Sequence, residues 1–203
     1  MMNMAFFAAT SEFILWEAFS AFDNAVYDLI SFYIADGMTR FMKFISFCGS
    51  EWTIATLAAA FPAVALIFKK RKLYRWSLAV IVNIASGALL NQILKHLFVR
   101  ARPDLLQLVE ISGYSFPSGH SMNSLIFYGF FIYIILKGIK HRGKYAIAGA
   151  VGLLVFLIGI SRIYLGVHYA SDVLAGFLIG LGWLILFIRL ADRYVLSNEQ
   201  VEK

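Results

Sequence analysis

Five long stretches without Asp, Glu, Lys or Arg constrain this chain more than any other feature of its sequence. They run over Trp52–Phe68, Trp76–Leu94, Ile111–Leu136, Tyr145–Ser161 and Val173–Ile188. At about 1.5 Å per residue in a helix, each stretch with its flanks can cross a bilayer. The third has a polar start, so its membrane part is expected to begin near His120. Because a soluble protein buries one or two such runs but not five, the pattern predicts an all-α integral membrane helical bundle.

Composition supports the same class. Of the 203 residues, 61% are hydrophobic and 15% are charged, and the mean hydropathy is +0.75. Soluble domains are about half apolar and about a quarter charged, so this balance argues against one and excludes disorder. The sequence has no repeat, low-complexity tract or linker, which predicts one membrane-embedded domain over residues 1–203. A single cysteine, Cys48, permits no internal disulfide.

The N-terminal part is less plainly apolar. Glu12 and Glu17 interrupt the hydrophobic segment Met1–Phe22, which has no basic start and is therefore not interpreted as a signal peptide. It is expected to be either a weak first span or an interfacial helix. Residues 23–47 mix charged and aromatic side chains at helical spacing, which predicts an amphipathic helix at the surface. Counting a first span, we expect about six transmembrane helices.

The positions of the basic residues predict the orientation of the chain. The net charge of +6 could indicate nucleic-acid binding or a positive-inside surplus. Twelve of the 18 basic residues fall on one side of the predicted bundle, between the first two clear spans, between the third and fourth, and in the C-terminal tail. That side is expected to be cytoplasmic. The surplus is therefore explained by the membrane, and no nucleic-acid partner is expected.

The other six basic residues lie on the opposite side. Arg40, Lys43 and Arg100 are interpreted as interfacial anchors, whose stems lie along apolar surface while the charge stays in water. Lys95 and Arg102 differ because seven positions are about two helical turns, which places both side chains on one face. Pro103 then discourages continuation of the helix. Two cations at one helix end favour an anion site, although many helices end in basic residues.

A second segment, Phe116–His120, precedes the third apolar run. Pro117 and Ser118 are residues that begin helices well, and the N–H groups of a helix start suit a phosphate. Gly119 allows an anion to approach the backbone closely, and His120 can donate a proton there. The segment alone is equally consistent with a plain helix cap followed by an interfacial histidine.

A third segment carries Ser161, Arg162, His168 and Asp172. His168 and Asp172 are four positions apart and lie one above the other if the segment is helical. An Asp bound to one imidazole nitrogen fixes the tautomer and leaves the other nitrogen free to attack. All three segments fall on the same side in the predicted topology, which favours a phosphoryl-transfer site. Since they contain no cluster of Asp and Glu for Mg²⁺ or Ca²⁺, Lys and Arg are expected to neutralise the phosphate, without metal or cofactor.

Together the segments resemble the signature of the type-2 phosphatidic acid phosphatase superfamily, integral-membrane lipid phosphatases related to the vanadium haloperoxidases. They read KHLFVRARP from Lys95, PSGH from Pro117 and SRIYLGVHYASD from Ser161, and every position of the signature over residues 95–172 matches. The resemblance implies the family's architecture of six helices. It further implies that His168 is a nucleophile forming a phosphohistidine, that Asp172 orients it, and that His120 protonates the leaving oxygen. The implied phosphate ligands are Lys95, Arg102, Ser118, Gly119 and Arg162, with Pro103, Pro117 and Ser161 in supporting positions.

The resemblance therefore implies a hydrolase of lipid phosphates whose substrate enters from the bilayer, at the outer face of a bacterial plasma membrane. The chain's compact size, short loops and outward site resemble those of bacterial members of the family that recycle the undecaprenyl carrier. This resemblance places undecaprenyl diphosphate first as substrate, with phosphatidylglycerol phosphate next and phosphatidic acid as a further alternative. A vanadate-dependent haloperoxidase would share the anion pocket, but those relatives are larger and soluble. A non-enzymatic transporter is the alternative from another class. Its charges would line a path through the midplane, whereas these cluster at one interface.

Overall fold

The structure is a computed structural model that describes residues 4–68 and 71–193. Seven helices follow one another in that part of the chain. They are α1 Met4–Ser31, α2 Asp36–Cys48, α3 Glu51–Phe68, α4 Arg71–Phe98, α5 Gly119–Gly138, α6 Gly143–Tyr164 and α7 Ala170–Ala191. Four of the five predicted apolar stretches lie wholly within a helix, and the third, Ile111–Leu136, is helical from Gly119 onward. The start expected near His120 is confirmed, because α5 begins at Gly119.

Four of these helices, α4 to α7, are long and apolar enough to cross a membrane. In the part of the chain that the structure describes, α2 and α3 add a fifth candidate if the two, bent by 43°, form one span. The all-α membrane bundle is therefore confirmed, with four or five candidate spans where about six were expected. The difference lies at the N-terminal end, where α1 contains Glu12, Glu17, Asp23 and Asp28.

The predicted boundary near Phe22 is wrong. α1 continues through residues 23–31, and the chain breaks at residues 32–35 before α2. The break is fixed by α6, because the Tyr164 hydroxyl lies 3.2 Å from the Ala35 nitrogen and accepts its N–H. The same hydroxyl lies 2.9 Å from Thr39 Oγ1 in the first turns of α2. The surface helix predicted over residues 23–47 is therefore divided between the end of α1 and the whole of α2. Of these two helices, α2 has the amphipathic pattern.

Small residues allow α7 to lie close against α5. A Cβ atom at Gly176 would stand 2.8 Å from the Ser118 carbonyl oxygen, closer than side chains tolerate. Apolar burial gives little drive for helix association in lipid, so close backbone packing of this kind holds membrane helices together. The amide of Ser118 also donates to the carbonyl of Asp172 at 3.1 Å. These contacts bring the N-terminal ends of α5 and α7 together.

Aromatic and aliphatic side chains fill the other half of the bundle. Ile54, Val80, Phe127, Phe130 and Leu184 form a buried cluster between α3, α4, α5 and α7. Lys137 and Asp192 form an ion pair of 2.5 Å between the C-terminal ends of α5 and α7. The polar residues of the three sequence segments lie at the opposite end, where residues 99–118 connect α4 to α5.

Candidate active site

A cavity of about 440 Å³ opens at the end of the bundle where α5 and α7 begin. Its wall includes five of the residues expected from the sequence: Lys95, Arg102, Gly119, His120 and His168. They come from the end of α4, the connection after it, the start of α5 and the turn before α7. The fold therefore brings the three sequence segments to one cavity. The prediction that a shared helical face joins Lys95 and Arg102 is wrong, because α4 ends at Phe98 and Arg102 lies in the connection that follows.

His168 lies in the turn between α6 and α7, and Gly166 sets the course of that turn. Gly166 has a φ of +70°, and a Cβ there would stand 2.3 Å from the Leu106 carbonyl oxygen. A positive φ and so close a backbone approach together require glycine. The turn is held further by the Leu108 amide, which donates to the Leu165 carbonyl at 3.1 Å. His168 is thereby fixed against the connection between α4 and α5, with 3% of its surface exposed.

The two ring nitrogens of His168 have different surroundings. An Arg102 Nη1 lies 3.3 Å from Nε2, while Asp172 Oδ2 and Ser115 Oγ lie 3.5 and 3.3 Å from Nδ1. Since arginine can only donate, Nε2 carries the lone pair and the neutral ring holds its proton on Nδ1. Burial lowers the pKa of His168 to about 4, an effect that Asp172 opposes and the cations Arg162 and Arg102 reinforce. At neutral pH the ring is therefore uncharged and can act as a nucleophile.

Asp172 is fully buried and its carboxylate is saturated with donors. Its Oδ2 accepts the Ser115 hydroxyl at 2.5 Å and the Tyr169 amide at 3.0 Å. Its Oδ1 accepts Nη1 of Arg100 at 2.6 Å. Charge-assisted hydrogen bonds of this kind fix the orientation of a carboxylate. The carboxylate can therefore present Oδ2 to Nδ1 of His168 in one fixed orientation.

The cations of the cavity are held by backbone carbonyls. Arg102 donates to the carbonyls of Ser112, Gly113 and Val167 at 2.8–3.0 Å, and Lys95 donates to that of Tyr114 at 2.5 Å. Partial burial lowers the pKa of Arg102 from its ordinary value. It still stays charged, because a guanidinium loses its proton only far above neutral pH. The carbonyl contacts orient both positive charges without neutralising them, so both can pair with an anion.

Three expected residues lie beside the cavity and are not among its described lining. Arg162 is buried, and its Nη1 donates to Ser46 Oγ at 2.5 Å. Its Nε has no hydrogen-bond partner among the described residues, which leaves a buried donor for a bound anion to complete. Ser118 caps α5, since its Oγ lies 3.0 Å from the Ser121 hydroxyl, which donates to it. Ser161 is fully buried and donates to the Ile158 carbonyl at 2.6 Å, a bond within α6.

The supporting prolines flank the same region. The Pro117 carbonyl accepts the side-chain amide of buried Asn91 at 3.4 Å, which ties the start of α5 to α4. The Pro103 carbonyl accepts the Gln107 side-chain amide at 3.2 Å, within the connection that carries Arg102. Both prolines are buried. Their contacts shape the backbone that carries the cations and the start of α5.

The interpretation of Arg100 as an interfacial anchor is wrong. Only 6% of its surface is exposed, and it pairs with two buried carboxylates, Asp23 at 2.9 Å and Asp172 at 2.6 Å. Arg40 and Lys43, interpreted in the same way, are exposed. Asp23 and Ser115 were also missed. Three other acidic residues of α1, Glu12, Glu17 and Asp28, share the local pattern of Asp23, so no signal in the sequence singled it out.

Metal-ligating side chains do not cluster here. Over residues 4–68 and 71–193, no three His, Cys, Asp or Glu side chains are placed to share a metal ion. The cations at the cavity are Lys95 and Arg102, with Arg162 beside it, and one carboxylate, that of Glu51, belongs to a lining residue. A site with cations of this kind, a neutral histidine paired with Asp172 and a helix N-terminus can bind a phosphoryl group and attack it.

Comparison with known proteins places the chain among membrane phosphatases. The family model described as the PAP2 superfamily matches residues 76–195. Phosphatidylglycerophosphatase B of Bacillus subtilis is 42% identical over 135 residues, which are 63% of this chain and 64% of that protein. The chain thus matches just under two thirds of that relative. An undecaprenyl-diphosphatase of Sulfolobus acidocaldarius is 27% identical over 169 residues, 80% of this chain and 75% of that one.

A solved structure shows the same fold. The crystal structure of a transmembrane PAP2-type phosphatidylglycerolphosphate phosphatase from Bacillus subtilis superposes with a TM-score of 0.79. The two chains share 30% sequence identity, and the match covers 91% of this chain and 94% of the other. The likeness extends beyond the three motifs to nearly the whole bundle, and it identifies the chain as a multi-pass membrane protein.

Proposed function

The chain belongs to the PAP2 superfamily of membrane lipid phosphatases, and from this premise we propose that it removes the terminal phosphate of phosphatidylglycerol phosphate. The observation that carries the proposal is the 42% identity to a phosphatidylglycerophosphatase of Bacillus subtilis. Undecaprenyl diphosphate, which the sequence placed first, is supported by a relative of 27% identity. It is therefore the second candidate substrate.

The proposed reaction begins at His168. Its Nε2 lone pair attacks the terminal phosphorus, a nitrogen–phosphorus bond forms, and the bond from phosphorus to the lipid oxygen breaks. His120, which lines the same cavity, gives a proton to that oxygen, so the lipid leaves as phosphatidylglycerol. Asp172 stabilises the positive charge that develops on the His168 ring.

Water completes the cycle. It attacks the phosphohistidine while His120 accepts a proton from it, and inorganic phosphate leaves with His168 and His120 restored. Lys95, Arg102 and Arg162 balance the charge on the phosphoryl oxygens in both steps, together with the amides at the start of α5, where Ser118 and Gly119 lie. The atoms balance as one lipid phosphate and one water to one alcohol and one phosphate.

Polar residues that line the cavity besides its cations favour a substrate with a hydroxyl-bearing headgroup. Besides the cations, its lining residues include Glu51, Gln92 and His96. A carboxylate beside the reacting phosphate accepts a hydroxyl well and repels a second phosphate. Glu51 therefore favours a glycerol phosphate ester over a diphosphate.

The substrate proposal is tested by competition. Purified protein in mixed micelles is given phosphatidylglycerol phosphate and undecaprenyl diphosphate together, and kcat/KM is obtained for each from the two products. We expect phosphatidylglycerol phosphate to be preferred at least ~10-fold, a free-energy difference of about 1.4 kcal/mol. Glu51→Gln is expected to reduce that ratio. A preference for the diphosphate in the unaltered protein would reject this substrate and leave the lipid-phosphatase chemistry in place.

We further propose that the cavity faces the outside of the cell. With Cys48 replaced by Ala, Glu110→Cys places a thiol in the exposed connection between α4 and α5, and Lys140→Cys places one at the opposite end of the bundle. An impermeant maleimide on intact cells is expected to label the first variant at once and the second only after permeabilisation. The reverse pattern would place the active site in the cytoplasm.

A further inference from the structure

A buried network of four side chains ties α1 to the proposed catalytic carboxylate. Arg100 lies at its centre, with one terminal nitrogen 2.6 Å from Asp172 Oδ1 and the other 2.9 Å from Asp23 Oδ2. Ser171 completes it, because its hydroxyl lies 2.8 Å from both Arg100 Nη1 and Asp23 Oδ2. All four side chains are buried. None of them, apart from Asp172, has a role in the three sequence motifs.

The guanidinium of Arg100 is fixed on every side. Its central carbon lies over the rings of Trp16 and Tyr169, 4.3 and 3.9 Å from their centroids. Its two terminal nitrogens donate to the two carboxylates and to Ser171. An arginine held by aromatic faces and charge-assisted hydrogen bonds has little freedom to turn. Its contact therefore fixes the position of Asp172 Oδ1 as well.

Asp23 extends the network to the beginning of α7. Its Oδ1 accepts the Ser171 amide at 2.7 Å, and this amide belongs to the first turn of α7. A carboxylate at a helix N-terminus is stabilised by the unpaired amides and the helix dipole. Asp172 lies in that same turn. Asp23 therefore fixes the backbone of the turn that carries Asp172, while Arg100 fixes the Asp172 side chain.

We propose that Asp23 and Arg100 are positioning residues of the phosphatase reaction, which act by holding Asp172 in the orientation that pairs its Oδ2 with His168. The positive charge of Arg100 also weakens the attraction of Asp172 for a protonated His168. Because Asp23 pairs with Arg100 as well, it offsets part of that positive charge. α1 is thereby a working part of the active site. The inference rests on the proposed role of His168 as nucleophile.

The first test compares two equal substitutions on α1. Asp23→Asn keeps the size of the side chain and removes the charge from Arg100, whereas Asp28→Asn changes an exposed carboxylate five residues further along. Steady-state kinetics on phosphatidylglycerol phosphate are expected to show kcat lowered ~10–100-fold by Asp23→Asn, as is typical of residues that orient a reacting group. KM is expected to stay within about threefold, because neither residue lines the cavity, and Asp28→Asn is expected to match the unaltered protein.

The second test separates positioning from a merely structural role. The groups that act electrostatically on His168 are Asp172 on α7, Arg162 on α6, Arg102 in the connection after α4 and His120 on α5. Arg100→Gln removes a cation from Asp172, so protonated His168 is stabilised better and the acid limb of kcat/KM moves to higher pH. Arg100→Lys keeps the charge and is expected to leave that limb in place with more of kcat retained.

The outcomes are distinguishable. If the unaltered protein is active, His168→Ala is inactive, and Asp23→Asn and Arg100→Gln remain within twofold of normal kcat, the positioning role is rejected and the proposed function stands. If Arg100→Gln lowers kcat without moving the acid limb, while its melting temperature falls, the network serves only to hold α1 in place. If His168→Ala retains activity, the proposed mechanism itself has failed.

Discussion

Replacing His168 with alanine is expected to lower kcat for phosphatidylglycerol phosphate by at least ~10⁴-fold, the size of loss seen when a nucleophile is removed from a covalent mechanism. The ring presents Nε2, with its lone pair, to the cavity, and Nδ1 faces Asp172 and Ser115. Alanine supplies no nucleophile, and the cations that remain can only bind the phosphate. The measurement is phosphate release from mixed micelles by purified protein.

His141→Ala is the matched control for this substitution. His141 is exposed near the start of α6, at the end of the bundle far from the cavity, and its Nδ1 accepts the Gly143 amide. We expect this variant to keep full activity. The melting temperatures of both variants and of the unaltered protein show whether each is folded. A folded His168→Ala variant with activity within tenfold of normal would contradict nucleophilic attack by this residue.

Arg102→Ala is expected to give the second large loss, about 10³-fold in kcat/KM, at the upper end of what removal of one donor to a transition state costs. This side chain places its Nη1 3.3 Å from Nε2 of His168, the proposed nucleophile. It also joins three backbone carbonyls, those of Ser112, Gly113 and Val167, into one wall of the cavity. Alanine removes both the charge and this bracing.

Arg102→Lys separates the two contributions. Lysine restores a positive charge, but its single ammonium cannot reproduce the planar set of donors that contacts the carbonyls. We expect it to recover about tenfold of the thousandfold loss. Arg40→Ala, at an exposed position on α2, is the control for loss of a surface cation. Activity of Arg102→Ala within tenfold of normal would remove this residue from the phosphate site.

The sequence predicted those parts of the fold and the site that depend on local pattern. The apolar stretches predicted the helices α3 to α7, and the polar start before His120 placed the beginning of α5 correctly. Motif spacing also predicted that Lys95 and Arg102 meet at one site, but not by a shared helical face, because α4 ends at Phe98 and Arg102 lies in the connection after it. These features are encoded within a few turns of the chain.

Arg100 could not be interpreted from its neighbours. Its carboxylate partners, Asp23 and Asp172, are 77 and 72 residues away in the chain, so only the tertiary fold shows that it is buried. Arg100 follows the end of an apolar helix and lies two residues before Arg102. This local pattern is the same as that of a cation at the membrane surface. The break between α1 and α2 was missed for a similar reason, since Tyr164 on α6 accepts the Ala35 amide just before α2 begins.

Ser118 belongs to a sequence motif but is not among the residues that line the cavity. As the cap of α5, its hydroxyl receives a hydrogen bond from Ser121, and its own amide donates to the carbonyl of Asp172. Its contribution to phosphate binding is therefore expected to come through the helix start that it holds in place. Motif spacing identifies the residue but does not distinguish a direct contact from this indirect one.

Direct detection of the covalent intermediate tests the central claim most closely. Phosphatidylglycerol phosphate with a radioactive terminal phosphate is mixed with purified protein, quenched in alkali, which preserves phosphohistidine, and digested for peptide mapping. The mechanism predicts that the label is found on His168 in the unaltered protein and is absent from His168→Ala. Label on a different residue, or continued phosphate release by the His168→Ala variant, would contradict it.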